Sequence, residues 1–226
     1  MGWWPNNYPP TNASVGGYNI FSGLAGRANI YLRVFQHTRN ASMLKIATEY
    51  IDHALSILPD VNNQEHASYM SGNIGVWFLR SQIDKENDDW KSMDHYLNLI
   101  HQTFQSVDSA IMNNKSVASN GLNVNADCTL DTGLSGMLYG ALLVNTLSLR
   151  EVIDRDVIAH LVYHILDIGI VTGERLQTDY LQYYSFEDCY LYGPGHGSSG
   201  YVSICSISYD IPHGPTNTHT HTLCYI

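Results

Sequence analysis

Positive charge is scarce in this sequence: 11 lysines and arginines stand against 21 aspartates and glutamates, a formal net charge of −10 over 226 residues. A nucleic-acid surface is excluded on that ground, because binding a phosphate chain requires rows of cations to replace its counterions. The same acidic balance argues against docking on anionic lipid. The four cysteines, Cys128, Cys189, Cys205 and Cys224, form no C-x-x-C pair, which rules out a local zinc knuckle or dithiol redox motif. No apolar run approaches the ~18 residues of a membrane span, so none is expected. Met1 to Pro10 has neither the basic stretch nor the apolar run of a secretory signal. Free thiols and a cytoplasmic location are the expectation, with a peripheral place at the plasma membrane as the variant. The triplets beginning at Asn12, Asn40 and Asn114 then carry no glycan, and Asn6 stands where a myristoylation signal needs Ser or Thr.

What the chain does contain is an internal repeat. Four segments carry Gly-x-x-Gly followed by an apolar run: Gly23 to Gly26, Gly72 to Gly75, Gly133 to Gly136 and Gly197 to Gly200. Their first glycines are spaced by 49, 61 and 64 residues, a period that marks stacked supersecondary units. Amphipathic stripes separate them. Met43, Leu44, Ala47, Tyr50, Ile51, Ala54, Leu55 and Leu58 recur at helical intervals, and Pro59 stops that helix. Met93, Leu97, Ile100, Phe104, Val107 and Ile111 form a second stripe, and Ile153 through Leu166 a third that Gly169 and Gly173 are expected to end. Asp154 and Asp156 sit where the third helix's dipole favours negative charge.

The unit is a glycine turn, an apolar inner helix, a loop and an amphipathic outer helix. Paired glycines three residues apart let another backbone or a ligand come close, and tight packing of inner helices on one another is the favoured use. Stacked hairpins of this kind build an open solenoid or a closed α/α toroid, so the fold class is all-α.

Several motifs resemble lanthionine synthetase C-like (LanC-like) proteins of the eukaryotic type. Ser22-Gly23-Leu24-Ala25-Gly26 with Tyr31-Leu32 resembles the family's first repeat, and Thr48-Glu49-Tyr50-Ile51 its outer helix. Tyr69-Met70-Ser71-Gly72-Asn73-Ile74-Gly75 is similar to the second repeat, with Ser71 and Asn73 where the family usually has Cys and Asp. Asp131-Thr132-Gly133-Leu134-Ser135-Gly136 resembles the third repeat, and Gly195-His196-Gly197-Ser198-Ser199-Gly200 the His-Gly-x-x-Gly of the fourth.

The resemblance implies a toroid of seven hairpins, of which about three and a half are present, over residues 1–209. It also implies a zinc-dependent enzyme that adds a thiol, glutathione in eukaryotic members, to dehydroamino acids in peptides or proteins. His196 and Asp131 are the implied proton-handling residues; for Asp131 the plainer role is an N-cap, and Asp127 is its rival. Zinc converts a thiol into the nucleophilic thiolate. The Cys-His pair that the family uses for zinc occurs nowhere in the sequence. No metal ligand is therefore assigned, zinc is not expected on this chain, and the chain alone is expected to be inactive. Residues 210–226, with Pro212, Pro215, His213, His219, His221 and Cys224, show no helical stripe and read as an irregular tail left by truncation or mis-splicing. The alternative function is a non-catalytic glutathione- or protein-binding remnant. A glycosidase on the same architecture ranks last, because two carboxylates facing across a cavity are needed and only Asp131 stands out.

Overall fold

The computed structural model describes residues 17–59, 67–113, 128–148 and 150–177. Within them six helices and no strand form three consecutive hairpins: α1 (Leu24–Thr38) with α2 (Ala41–Ser56), α3 (Asn73–Glu86) with α4 (Trp90–Met112), and α5 (Leu134–Ser148) with α6 (Arg155–Leu176). The all-α expectation and the alternation of apolar inner and amphipathic outer helices are met.

Each hairpin turn is fixed by local chemistry. Arg39 closes α1 in the left-handed region at φ 56°, and the Asn40 side chain accepts the Ser42 N–H at 3.0 Å to open α2. Asp89 caps α4 in the same way through Ser92 N–H at 3.0 Å. Between α5 and α6 the Asn145 amide accepts the N–H groups of Val152 and Ile153 and donates to the Ile153 carbonyl. The Asn40 and Asp89 bonds satisfy N–H groups that the helix starts leave open, and the Asn145 bonds hold the loop between α5 and α6.

The inner helices touch in sequence order, α1 on α3 and α3 on α5, while α4 packs on α6. Between Asn73 and Leu79, α3 is buried on every side. One flank, with Val76, Leu79 and Ile83, closes the core of the first hairpin against Leu32, Tyr50 and Ile51. The other, with Ile74, Trp77 and Phe78, joins Phe104, Leu134 and Ile165 in the larger core. Each such side chain removed from water contributes about 1.5–3 kcal/mol before entropy is set against it, so α3 is the element on which both cores depend. An ionic brace crosses the same region. Arg80 donates through Nε to Asp84 at 2.7 Å and through Nη1 to Asp52 of α2, and Ser92 of α4 donates to Asp84 at 2.6 Å. Burial of Arg80 works against its charge, but its anionic neighbours, Asp84 foremost and then Asp52, outweigh it and the guanidinium is held above its ordinary pKa.

Two expectations need correction. Gly169 and Gly173 do not end the third outer helix; α6 runs through both and stops at Leu176, where Gln177 takes the left-handed conformation at φ 55°. A glycine inside a helix costs only about 1 kcal/mol, and α6 is anchored on α4 and α5 by Ile158, Leu161 and Ile165. The glycine pairs also serve a different partner from the one expected. A Cβ on Gly26, Gly75 or Gly136 would collide with the carbonyl oxygen of Ile20, Tyr69 or Leu130 respectively. Each clash is with the residue six positions earlier, so the second glycine admits the helix's own preceding loop, not a neighbouring helix. Gly140 of α5, by contrast, faces the Tyr69 and Ile74 side chains at 3.1 and 3.3 Å and so lets α5 approach α3 and its loop.

Candidate functional site

Every inner helix that the structure describes is entered through the same turn. The Asn19 side chain accepts the N–H of Ser22 at 2.9 Å, Ser68 Oγ that of Ser71 at 3.3 Å, and Thr129 Oγ1 that of Thr132 at 3.2 Å. In each case a short polar side chain, four residues before the first glycine, folds the loop back on itself. Behind it Gly23 and Gly133 donate their N–H groups to the carbonyls of Asn19 and Thr129. The repeated turns bring the loops before α1, α3 and α5 side by side: Phe21 N–H donates to the Met70 carbonyl at 3.1 Å, and the loop of α3 is tied to that of α5 through Ser68, Ser71 and Asp131.

Asp131 is the centre of this second junction. Its carboxylate accepts the Ser71 hydroxyl, and its main-chain carbonyl accepts Ser68 Oγ at 2.5 Å. Ser68 is almost wholly buried. Thr129 Oγ1 accepts the N–H of Gly133 at 3.1 Å, just ahead of α5, while the Asp131 side chain turns across to the neighbouring repeat. A carboxylate held at both its main chain and its side chain is oriented in advance, which is what proton transfer at a reacting group demands.

Two more polar atoms lie at the first turns of these helices, Asn73 Oδ1 on α3 and Ser135 Oγ on α5, both buried and without a hydrogen-bond partner among the described residues. The sequence marked Asn73 and Ser71 as departures from the expected repeat, but it did not mark Ser68, Thr129 or Ser135. The available signal was the position four residues before the first glycine, occupied in turn by Asn19, Ser68 and Thr129. Its changing identity hid it, since any short hydrogen-bonding side chain serves there.

His196, Asp127 and the four-residue cluster of the tail, His213, His219, His221 and Cys224, lie outside the described residues. Zinc finds no set of donors among those that are described. No three His, Cys, Asp or Glu side chains come together there, and Cys128 is buried. Among the described residues no helix is long and apolar enough to cross a membrane.

Three hairpins of apolar inner and amphipathic outer helices, joined at their inner-helix entrances by Phe21 N–H on the Met70 carbonyl and by Ser68 and Ser71 on Asp131, define an α/α-hairpin repeat protein. The sequence matches the family described as lanthionine synthetase C-like protein over residues 14–219. The chain belongs to that family, and its three hairpins are part of the family's α/α toroid. No curated protein matches the sequence.

Proposed function

We propose that this LanC-like chain takes part in adding a thiol to dehydroamino acid residues of a peptide, with glutathione as the thiol and Asp131 as a proton-handling group. The observation that carries the proposal is the double anchoring of Asp131 by Ser71 and Ser68 at the entrances of two adjacent inner helices. In the addition the thiol proton leaves to a carboxylate and the sulfur bonds to the β-carbon as the carbon–carbon π bond opens. The α-carbon then takes a proton. Asp131 suits the first transfer, and His196 is the proposed donor for the last. Thiol activation by zinc belongs to the family, and the described residues offer it no place. The chain alone is therefore expected to bind its substrates more readily than it turns them over.

The test combines metal content by mass spectrometry, glutathione binding by calorimetry and product mass after incubation with a dehydroalanine peptide. A glutathione adduct that the Asp131→Asn substitution reduces tenfold or more, in line with the usual share of general acid–base catalysis, supports the enzyme. Bound glutathione without adduct leaves the non-catalytic binding protein. No glutathione binding overturns the proposal.

A further inference from the structure

The first and last of the described helices present faces of opposite charge. α1 contains Arg27 and Arg33 and no aspartate or glutamate, whereas α2, α3, α4 and α6 all include acids. Leu24, Ala25, Ala28 and Leu32 bury one side of α1 in the core of the first hairpin. The opposite side presents Arg27, Ile30, Val34 and His37 at i, i+3, i+7 and i+10, with Arg33 alongside. Ile30 is 59% exposed. Neither arginine pairs with a carboxylate among the described residues, although Arg39, Arg80, Arg150 and Arg155 each do, and Arg33 donates to the neutral Gln36 amide at 3.0 Å.

α6 shows the inverse pattern. Ile158, Leu161, Ile165 and Ile168 bury one side in the larger core, and the far side presents Tyr163, Asp167, Ile170 and Glu174 at i, i+4, i+7 and i+11. Tyr163 is 58% and Ile170 47% exposed. Asp167 and Glu174 pair with no cation among the described residues. A single exposed apolar residue is ordinary. Here each sits midway between two like charges that lack a counter-charge, and the two patterns match in pitch as well as in sign. Ile30 lies between Arg27 and Arg33, about 9 Å apart along the helix, and Ile170 between Asp167 and Glu174, about 10.5 Å apart. α1 and α6 belong to the first and the third hairpin and both faces are exposed, so neither covers the other within one chain.

We infer that the α1 face of one copy of this chain docks on the α6 face of a second copy. Arg27 and Arg33 meet Asp167 and Glu174 around a contact of Ile30 with Tyr163 and Ile170. The pairing is head-to-tail: it leaves α6 of the first copy and α1 of the second open, so it either closes into a ring or extends. One helix face on another falls short of the roughly 1,200 Å² at which standard interfaces begin. Association is therefore weak, and the local charge pairs carry it against the net charge of −10 on each copy. The inference uses none of the residues assigned to thiol addition and stands apart from that proposal.

Sedimentation velocity of the full chain over a range of concentrations tests it. The wild type is expected to gain mass as the concentration rises. The double variant Arg27→Gln, Arg33→Gln is expected to weaken association about tenfold or more, and so is Asp167→Asn, Glu174→Gln, through the loss of close interfacial charge pairs. Arg150→Gln, whose guanidinium is already paired with Asp94, leaves association unchanged. An equimolar mixture of the two double variants is expected to form a dimer again, because each keeps the face that the other has lost. Faces that pair with their own kind would not be rescued in this way. Circular dichroism checks that each variant folds. A wild type that stays monomeric, association that either double variant leaves intact, or a mixture that stays monomeric would each overturn the inference.

Discussion

Ser68 and Asp131 are 63 residues apart in sequence, yet the serine hydroxyl donates to the aspartate's main-chain carbonyl at 2.5 Å. The same serine accepts the N–H of Ser71, whose hydroxyl reaches the Asp131 carboxylate. One side chain thus shapes the entrance of α3 and pins that of α5 to it. Replacing Ser68 with Ala leaves a buried carbonyl and an N–H without their partner. The expected loss is about 1–3 kcal/mol in urea unfolding, accompanied by weaker function wherever Asp131 is used. Ser68→Thr, which keeps the hydroxyl, is expected to recover part of it.

Gly75→Ala reverses the usual sign of a helical glycine substitution. Alanine normally stabilises a helix interior by about 0.5–1 kcal/mol. Here the added Cβ runs into the Tyr69 carbonyl and the Ile20 side chain, and the carbonyl is backbone that cannot swing aside. The expected outcome is a destabilisation of about 1–3 kcal/mol, read as a lower thermal midpoint. Gly136→Ala, against the Leu130 carbonyl, should behave alike.

The brace around Arg80 separates buried from exposed charge. The Asp84 side chain is 2% exposed, while that of Asp52 is 56% exposed. Asp84→Ala strands a half-buried guanidinium and the Ser92 hydroxyl, at an expected cost of about 3 kcal/mol. Asp52→Ala should cost under about 1 kcal/mol and lose its effect in high salt. Denaturant midpoints of the two variants, measured at low and high salt, check the contrast.

Alkaline stability should depend on Tyr69. Its phenol titrates above the ordinary 10.0, chiefly because burial disfavours phenolate. The folded state therefore holds the proton more tightly than the unfolded chain does. This contribution is complete below about pH 10 and is lost as the pH rises from there toward the folded value, at about 1.4 kcal/mol per pH unit. Tyr69→Phe has no proton to lose at that position. Wild type and variant should have similar stability near neutral pH, and above pH 10 the wild type should fall more steeply. Parallel unfolding curves through that range would contradict the assignment.

The sequence alone determined the helical-hairpin repeat, because apolar residues at 3.6-residue spacing bury only as helices, and glycine pairs at a recurring interval mark where each unit begins. It placed the first two outer helices to within a few residues, ended the third too early, and singled out Asp131. It misjudged the glycines, since whether a missing Cβ makes room for a loop or for a helix is decided by what folds onto it. It could not see that Asn19, Ser68 and Thr129 perform one task, because the turn requires a hydrogen-bonding atom and not a particular residue. The pairing of Ser71 with Asp131, and the edge-on meeting of Tyr69 with Tyr139, were decided only by the tertiary structure. Such contacts form when α3 is enclosed on every side by its neighbours, and no local pattern records which distant residues that enclosure brings together.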